Sequence, residues 1–136
     1  MAEKRAYDIM EKDVVAVSST TSIISAVTLL ENSNVDLLPV VDDGKLVGII
    51  NEDSLRSFAI RHSREELDAP IKPLVKEPIF VEASENINDV IVKVVRYNVT
   101  RIPVVDSISG MRCVGIISAS DLLKSAGGRL GKADAK

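Results

Sequence analysis

A stretch of two short strands occurs twice in this chain, and the duplication limits the possible folds more than any other feature. The first copy runs from Leu38 to Ile50 and the second from Ile102 to Ile117. Each copy is rich in valine and isoleucine, has turn residues at its centre, and carries a proline and a glycine at corresponding places: Pro39 and Gly48, then Pro103 and Gly115. Such runs predict paired β-strands. A repeat of this size indicates that one supersecondary unit was duplicated.

The duplication extends beyond the strands when the sequence is compared with itself at a shift of 64 residues. The short strand at Val15 then lies over Ile79, and the helical periodicity that begins at Ile23 lies over the one that begins at Ile87. The second helix is predicted to be capped by Ser84 and to have an apolar stripe that reaches Val95. Each copy therefore has the predicted order β-α-β-β-α, which gives an α/β fold of the α+β type with two pseudo-symmetric lobes. We assign repeat 1 to residues 5–66, repeat 2 to residues 67–126, and a flexible C-terminal tail to residues 127–136.

Charge and cysteine content exclude several classes of function. The chain has 136 residues and a formal net charge of -3, with a sequence pI near 5.2, which argues against a broad nucleic-acid-binding face. One cysteine and one histidine cannot form a disulfide framework or a metal cluster, and Cys113 is predicted to be a small buried hydrophobe. No stretch has the apolar core of a signal peptide or approaches the length of a membrane span. These observations predict a soluble, cytoplasmic protein with no membrane partner.

Taken together, the two units resemble a tandem pair of cystathionine β-synthase (CBS) domains, which is called a Bateman module. The resemblance lies in the hydrophobic-Pro-Val-Val-Asp strand, the Gly-Ile-Ile strand and the polar quartet that opens the following helix, and it covers about residues 5–126. It implies two packed lobes whose clefts receive an adenosyl ligand: AMP, ADP, ATP or S-adenosylmethionine. It also implies that the pairs commonly form homodimers.

The quartet from Ser118 to Asp121 is the most informative candidate site. On a structural interpretation, Ser118 is the N-cap of a helix and Asp121 lies at its third position, as in a capping box. On a functional interpretation, the helix N-terminus and the serine hydroxyl hold a phosphate while the carboxylate accepts hydrogen bonds from both ribose hydroxyls. The resemblance implies these two roles for Ser118 and Asp121. The first copy departs from the pattern, because Ser54 occupies the ribose position and Asn51 the cap, so its site is expected to be weaker or empty.

Two sets of residues are therefore predicted to bind the ligand. The second-repeat half-site, which is the main one, consists of Ile79, Thr100, Arg101, Ile102, Pro103, Ser118 and Asp121. The first-repeat half-site, which is the weaker one, consists of Val15, Asp36, Leu37, Pro39, Asn51 and Ser54. The prolines are expected at a strand start or an exposed edge, where neighbouring backbone groups could contact the base. The candidate cations for a polyphosphate are Arg101, Lys72, Lys76 and Arg112, whereas Gly48, Gly115 and His62 are assigned no binding role.

No catalytic residues are predicted. The sequence offers no nucleophile paired with a base, no paired carboxylates on a shared face and no glycine-rich phosphate loop, so nothing favours an enzyme or a bound cofactor. The leading hypothesis is a stand-alone regulatory module that senses an adenosyl ligand, mainly in the second repeat, and is read by an effector protein. The alternative is a ligand-independent dimeric scaffold for protein interaction. Nucleic-acid binding by the basic residues 124–136 is a minor third hypothesis, and overall such a partner is not expected.

Overall fold

A computed structural model describes residues 3–125 and divides the chain into two compact units. The first-repeat unit is Val15–Pro78, and the second-repeat unit combines the N-terminal segment up to Val14 with the chain from Ile79 onward. In chain order, the elements are α1 (Ala6–Ile9), α2 (Ile23–Ser33), β1 (Leu37–Asp42), β2 (Lys45–Asn51), α3 (Glu52–Arg61), two 3-10 turns (Glu66–Asp68 and Lys72–Leu74), β3 (Val81–Glu82), α4 (Ile87–Tyr97), β4 (Arg101–Val105), β5 (Cys113–Ser118) and α5 (119–125). The predicted α+β fold of two β-α-β-β-α lobes is confirmed.

Two predictions concern residues that the structure does not describe. The tail predicted at residues 127–136 and most of the basic stretch 124–136 lie outside the described residues. Within residues 3–125, no helix is both long enough and apolar enough to cross a membrane.

The first-repeat unit is built on the antiparallel pair β1–β2. Leu38 pairs with Ile50 and Val40 with Gly48, and a bulge then shifts the register so that Val41 pairs with Leu46. Val17 extends this pair on the other side of β1, because its amide donates to Pro39 O over 3.0 Å and its carbonyl accepts from Val41 N over 2.7 Å. Helices α2 and α3 cover the strands with buried aliphatic side chains: Ile23, Ala26, Leu30 and Leu55.

The second-repeat unit contains a three-stranded sheet in the order β3-β4-β5. β3 runs parallel to β4, and β4 pairs antiparallel with β5 through Ile102–Ile117 and Val104–Gly115, again with a bulge after Val104. The core is aliphatic and includes α1 and α4 side chains as well as strand residues: Ala6, Val81, Ile87, Val90, Ile102, Val104, Ile117 and Leu122. The two units thus repeat the same hairpin with the same irregularity.

Helix α4 differs from its prediction at both ends. Its N-cap is Asn86, whose side-chain oxygen accepts from Asn88 N over 2.8 Å, and not Ser84. Ser84 lies instead in a turn before the helix, in which Glu85 N donates to Glu82 O over 3.0 Å and Ala83 O and Glu85 O accept hydrogen bonds from the amides of the N-terminal segment. At the other end, Val95 is 73% exposed, so the buried stripe stops short of it.

Each unit also contains the segment that precedes the other repeat in the sequence. Glu11 and Ile116 exchange both backbone hydrogen bonds, at 2.8 and 3.0 Å, in the second-repeat unit. Lys76 and Ile49 do the same in the first-repeat unit, at 2.9 Å each. The repeats predicted at 5–66 and 67–126 are continuous stretches of sequence, whereas the two compact units are defined by contacts in space. The limits of the repeats therefore stay a prediction.

Candidate ligand-binding half-sites

In the second-repeat half-site, Ser118 and Asp121 form a helix cap. Asp121 N donates to Ser118 Oγ over 3.0 Å, which places Ser118 at the N-cap of α5 and Asp121 at its third position. Ser118, Ala119 and Asp121 are half-buried, and Ser120 is exposed. Because the hydroxyl accepts this hydrogen bond, its own proton remains a donor that can be aimed at a bound oxygen. The N-cap part of the structural interpretation is confirmed, and Asp121 lies half-buried in the first turn of the same helix.

The start of β4 lies against this cap. Ala119 N donates to Thr100 O over 2.7 Å, and Arg101 is the direct strand partner of Ser118. Thr100 is exposed and Arg101 is half-buried. Four of the predicted residues, from two separate stretches of sequence, are therefore brought together at one end of the β4–β5 pair.

Of the other three predicted residues of this half-site, Ile102 and Pro103 are buried and Ile79 is half-buried. Ile102 and Pro103 lie within β4, and the side chain of Ile102 belongs to the core. Ile79 is half-buried against that core, two residues before β3. Because Val81 pairs with Val104, the same parallel register carried back two residues places Ile79 level with Ile102. These residues contribute backbone and an apolar surface to the half-site.

The expectation of an exposed or strand-starting proline is wrong, because Pro103 is the third residue of β4 and is buried. Its position is tolerated for a reason visible in the ladder. Its partner Ile116 directs both backbone groups to Glu11, so the Pro103 nitrogen points away from β5. On that side the register with β3 begins only at Val104, so the missing amide proton falls just beyond the paired stretch.

The first-repeat half-site has the same backbone arrangement with different side chains. Ser54 N donates to Asn51 Oδ1 over 2.9 Å, and Glu52 N donates to Asp36 O over 2.9 Å. Pro39 and Leu37 are buried within β1, whereas Val15 is half-buried two residues before Val17, which pairs with Val40. The position that matches Asp121 therefore carries the serine hydroxyl of Ser54 instead of a carboxylate.

The two strand glycines are explained by packing. A Cβ on Gly115 would lie 2.5 Å from Met10 Sδ and 2.9 Å from Glu11 O, and a Cβ on Gly48 would lie 2.7 Å from Lys76 O and clash with Val75 Cγ1. Each glycine thus lets the incoming segment cross its strand closely. The signal was present in the sequence as a glycine within a β-branched run, but the crossing partner was missed.

The candidate cations are spread over the units. Arg101 lies at the second-repeat half-site, but Arg112 lies at the opposite end of β5, where its amide donates to Asp106 Oδ1 over 2.9 Å. In the first-repeat unit, Lys76 pairs with Ile49 at the edge of β2. The charge of Lys72 contributes to lowering the pKa of Asp42, which lies at the turn end of β1. Of the two candidate cations in the second-repeat unit, only Arg101 therefore lies beside the quartet from Ser118 to Asp121.

The remaining titratable candidates have structural roles. The Ser19 amide and hydroxyl, which hydrogen-bond to the carboxylate, lower the pKa of Asp42 below its ordinary value. Burial raises the pKa of the Cys113 thiol, which is half-buried. The His62 ring stacks on Phe58 with centroids 3.7 Å apart and lies 3.8 Å from Glu66 Oε2. Among residues 3–125, no group of three or more His, Cys, Asp or Glu side chains could hold a metal ion.

Comparison with known proteins accounts for this duplicated arrangement. A sequence profile of the CBS domain matches residues 6–61 and 71–128. The chain belongs to the CBS domain family. Among solved structures, the CBS domain pair of protein MJ0100, in complex with 5′-methylthioadenosine and S-adenosyl-L-methionine, has a TM-score of 0.76 and 29% identity, covering 94% of this chain and 99% of that one. CBSX2 in complex with AMP has a TM-score of 0.77 and 25% identity, covering 90% of this chain and 95% of that one.

Two of the curated relatives are enzymes much longer than this chain. L-aspartate semialdehyde sulfurtransferase of Methanocaldococcus jannaschii is 31% identical over 123 residues, and inosine-5′-monophosphate dehydrogenase of the same organism is 31% identical over 126 residues. Both alignments cover 90% of this chain but only 23% and 24% of the enzymes. The chain therefore spans about a quarter of the length of these two relatives.

Proposed function

We propose that this CBS pair is a regulatory module that binds an adenosyl ligand, mainly at the second-repeat half-site, and has no catalytic activity of its own. The observation that carries the proposal is the meeting of Ser118 and Asp121 with Thr100 and Arg101 at one end of β4–β5. The ligands of two similar CBS pairs, AMP in one and two adenosyl thioether or sulfonium compounds in the other, support the same ligand class.

The chemistry of each group fits one part of such a ligand. The Asp121 carboxylate can accept hydrogen bonds from both hydroxyls of a ribose, which makes two charge-assisted bonds. The Ser118 hydroxyl and the first amides of α5 are donors suited to a phosphate, and Arg101 adds a cation beside them. The base would lie against the apolar surface at Ile79 and the backbone of residues 100–103. The ligand is thus held by a sugar contact that every adenosyl compound can make and by a phosphate contact that only some can make.

Regulation then requires that the ligand bind two arrangements of the protein unequally. A ligand shifts the populations of two conformations only by its difference in affinity for them. Coupling of about 1–3 kcal/mol is the usual size of such a difference, and it corresponds to a change of about 5- to 150-fold in the binding of the effector protein. We propose that an effector protein reads this shift.

Calorimetric titration with AMP, ATP and S-adenosylmethionine tests the proposal on the wild type, Asp121→Ala and Ser120→Ala. Removing the carboxylate leaves two ribose hydroxyls without their acceptor, so we expect Asp121→Ala to lower the affinity for every ligand by at least about tenfold. Ser120 is exposed in the same helical turn, and its variant should bind within about twofold of the wild type. Absence of binding by the wild type, or equal binding by Asp121→Ala, would contradict the proposal.

A second candidate function, a ligand-independent dimeric scaffold, is favoured by the outer face of α4. Val92 is 53% exposed and Val95 is 73% exposed, and Tyr97 is half exposed on the same helix. Apolar side chains at this spacing suit a surface that another chain covers. We propose that the chain forms a homodimer through this face, whether it acts as a sensing module or as a scaffold. Light scattering on ligand-stripped protein should show a dimer that Val92→Glu/Val95→Glu dissociates; a monomeric wild type would contradict the homodimer, and a dimer that binds no adenosyl compound would favour the scaffold.

A further inference from the structure

The first turns of the two matched helices have the same geometry and different charges. In both units the N-cap side chain accepts from the amide three residues on, over 2.9 Å at Asn51 and 3.0 Å at Ser118. The first two helical positions are Glu52 and Asp53 in α3, whereas they are uncharged, Ala119 and Ser120, in α5. The difference between the half-sites is therefore in side-chain chemistry and not in the backbone.

The adjoining strand shows the same contrast. The amide of the first helical residue donates to the carbonyl of the residue before the strand in each unit: Glu52 N to Asp36 O, and Ala119 N to Thr100 O, at 2.9 and 2.7 Å. An acidic residue in the first-repeat unit again replaces an uncharged one. Three matched positions around one backbone junction thus carry carboxylates in one unit and none in the other.

We propose that the first-repeat half-site selects adenosyl compounds that lack a phosphate, and that Glu52 and Asp53 are the residues that exclude the phosphate. The inference rests on the proposed function, since it assumes that both half-sites face an adenosyl ligand. A phosphate held at the start of α3 would lie a few ångströms from both side chains, and like charges at that distance repel. The same carboxylates already occupy the favourable end of the helix dipole. A nucleoside, a thioether nucleoside or a sulfonium compound meets no such repulsion.

The cations of this unit do not remove the contrast. Arg56 Nη2 lies 3.5 Å from Glu52 Oε2 one turn along α3, where both side chains are solvent-accessible and the pair is screened. Lys76 pairs with Ile49, which is three residues before Glu52. The residue that pairs at the matching place in the other unit is Glu11, so here the first-repeat unit carries the positive charge and the second-repeat unit the negative one. Asp53 is exposed at the second helical position. The contrast lies at the helix terminus and not in the total charge, so it is tested by changing only these two residues.

The experiment isolates the first-repeat half-site in an Asp121→Ala background, where the main half-site is weakened. Adenosine and ATP are titrated into this chain and into the same chain with Glu52→Ala/Asp53→Ser added, which copies the residues of α5. We expect the added substitutions to strengthen ATP binding by about tenfold or more at low salt, to leave adenosine within about threefold, and to lose most of the gain at high salt. Glu31→Ala/Glu65→Ala, which removes two exposed acids elsewhere in the same unit, should give no such gain.

Each outcome is decisive. A selective gain for ATP, in a chain whose melting temperature without ligand is unchanged or lower, supports the inference, because acidic residues at a helix N-terminus stabilise it and their loss cannot itself tighten binding. Equal ATP binding with and without the two substitutions overturns it, as does an Asp121→Ala chain that binds neither compound while the wild type binds; both results leave the proposed function standing. If the wild type also binds neither compound, the proposed function and this inference fall together.

Discussion

At the scale of single residues, the two glycines in the β-strands show how a ligand-like sequence signal can arise from packing. Gly115 lies beside Met10 and Glu11, and Gly48 lies beside Val75 and Lys76, at distances that leave no room for a Cβ. The contact on each is partly backbone, which cannot move aside as the end of a side chain can. Both glycines therefore allow the crossing segments to pack closely on the strands. We expect a substitution at either glycine to reduce the stability of the protein more than its affinity for a ligand.

We expect Gly115→Ala to destabilise the protein by about 1–3 kcal/mol, the usual effect of overpacking a core position. The added methyl group would lie 2.9 Å from Glu11 O, so the hydrogen bonds between Glu11 and Ile116 must lengthen. Urea denaturation of the two chains measures the loss. An unchanged midpoint would show that the crossing segment is not held closely.

Asp42 is expected to make stability depend on pH in the acid range. Its Oδ1 accepts from Ser19 N over 2.9 Å, and this bond lowers the pKa of Asp42 in the folded state. Because the folded-state pKa is below the unfolded one, the stabilisation is complete above about pH 4 and is lost as the pH falls through the folded-state value. Asp42→Asn should therefore be less stable than the wild type at pH 7, with a gap that narrows below about pH 4.

Asp43→Asn is the matched control for this measurement. Asp43 is the neighbouring turn residue, with φ of 51°, a conformation that asparagine also adopts readily. It follows the last residue of β1, whereas Asp42 is that last residue and accepts from Ser19 N. Thermal melts of the three chains at pH 7 and pH 3 give the comparison. A gap between wild type and Asp42→Asn that is the same at both pH values would contradict the assignment.

At the scale of elements, the N-terminal segment is a structural part of the second-repeat unit. Ala6 is fully buried, and the amides of Ala6 and Tyr7 donate to Glu85 O and Ala83 O over 2.9 and 3.0 Å. The segment also completes the sheet edge at Ile116 through Glu11. It also contacts the start of α4, where Ile87 N donates to Lys4 O over 3.1 Å. The N-cap itself is local, because Asn86 is a favoured cap residue, and the prediction chose Ser84 in its place.

Deleting residues up to Glu11 should therefore weaken the second repeat and not the first. Losing at least four backbone hydrogen bonds and a buried alanine removes roughly 3–5 kcal/mol from the second-repeat unit, at about 1 kcal/mol per hydrogen bond. Hydrogen exchange read by mass spectrometry should show faster exchange in α4 and β5. Faster exchange in α2 and β1 instead would contradict the assignment of this segment.

At the scale of the whole molecule, the sequence predicted what depends on local pattern and duplication. Strand pairing within each hairpin, helix periodicity apart from the ends of α4, and the N-cap of α5 at Ser118 follow from residues close in sequence, and all three are confirmed. The burial of Pro103 and the distant partner of Gly115 depend on which segment crosses which strand, and neither could be read from one stretch alone. The binding role of Ser118 and Asp121 stays a prediction, because the same contacts serve a helix cap.

Amide NMR of the chain during titration with AMP tests the central claim most directly. If the second-repeat half-site holds the nucleotide, the amide signals of Thr100, Arg101 and residues 119–121 shift most, along a saturating curve that Asp121→Ala moves to at least about tenfold higher AMP concentration. Saturating shifts confined to other residues, or no shifts at millimolar AMP, would contradict the account.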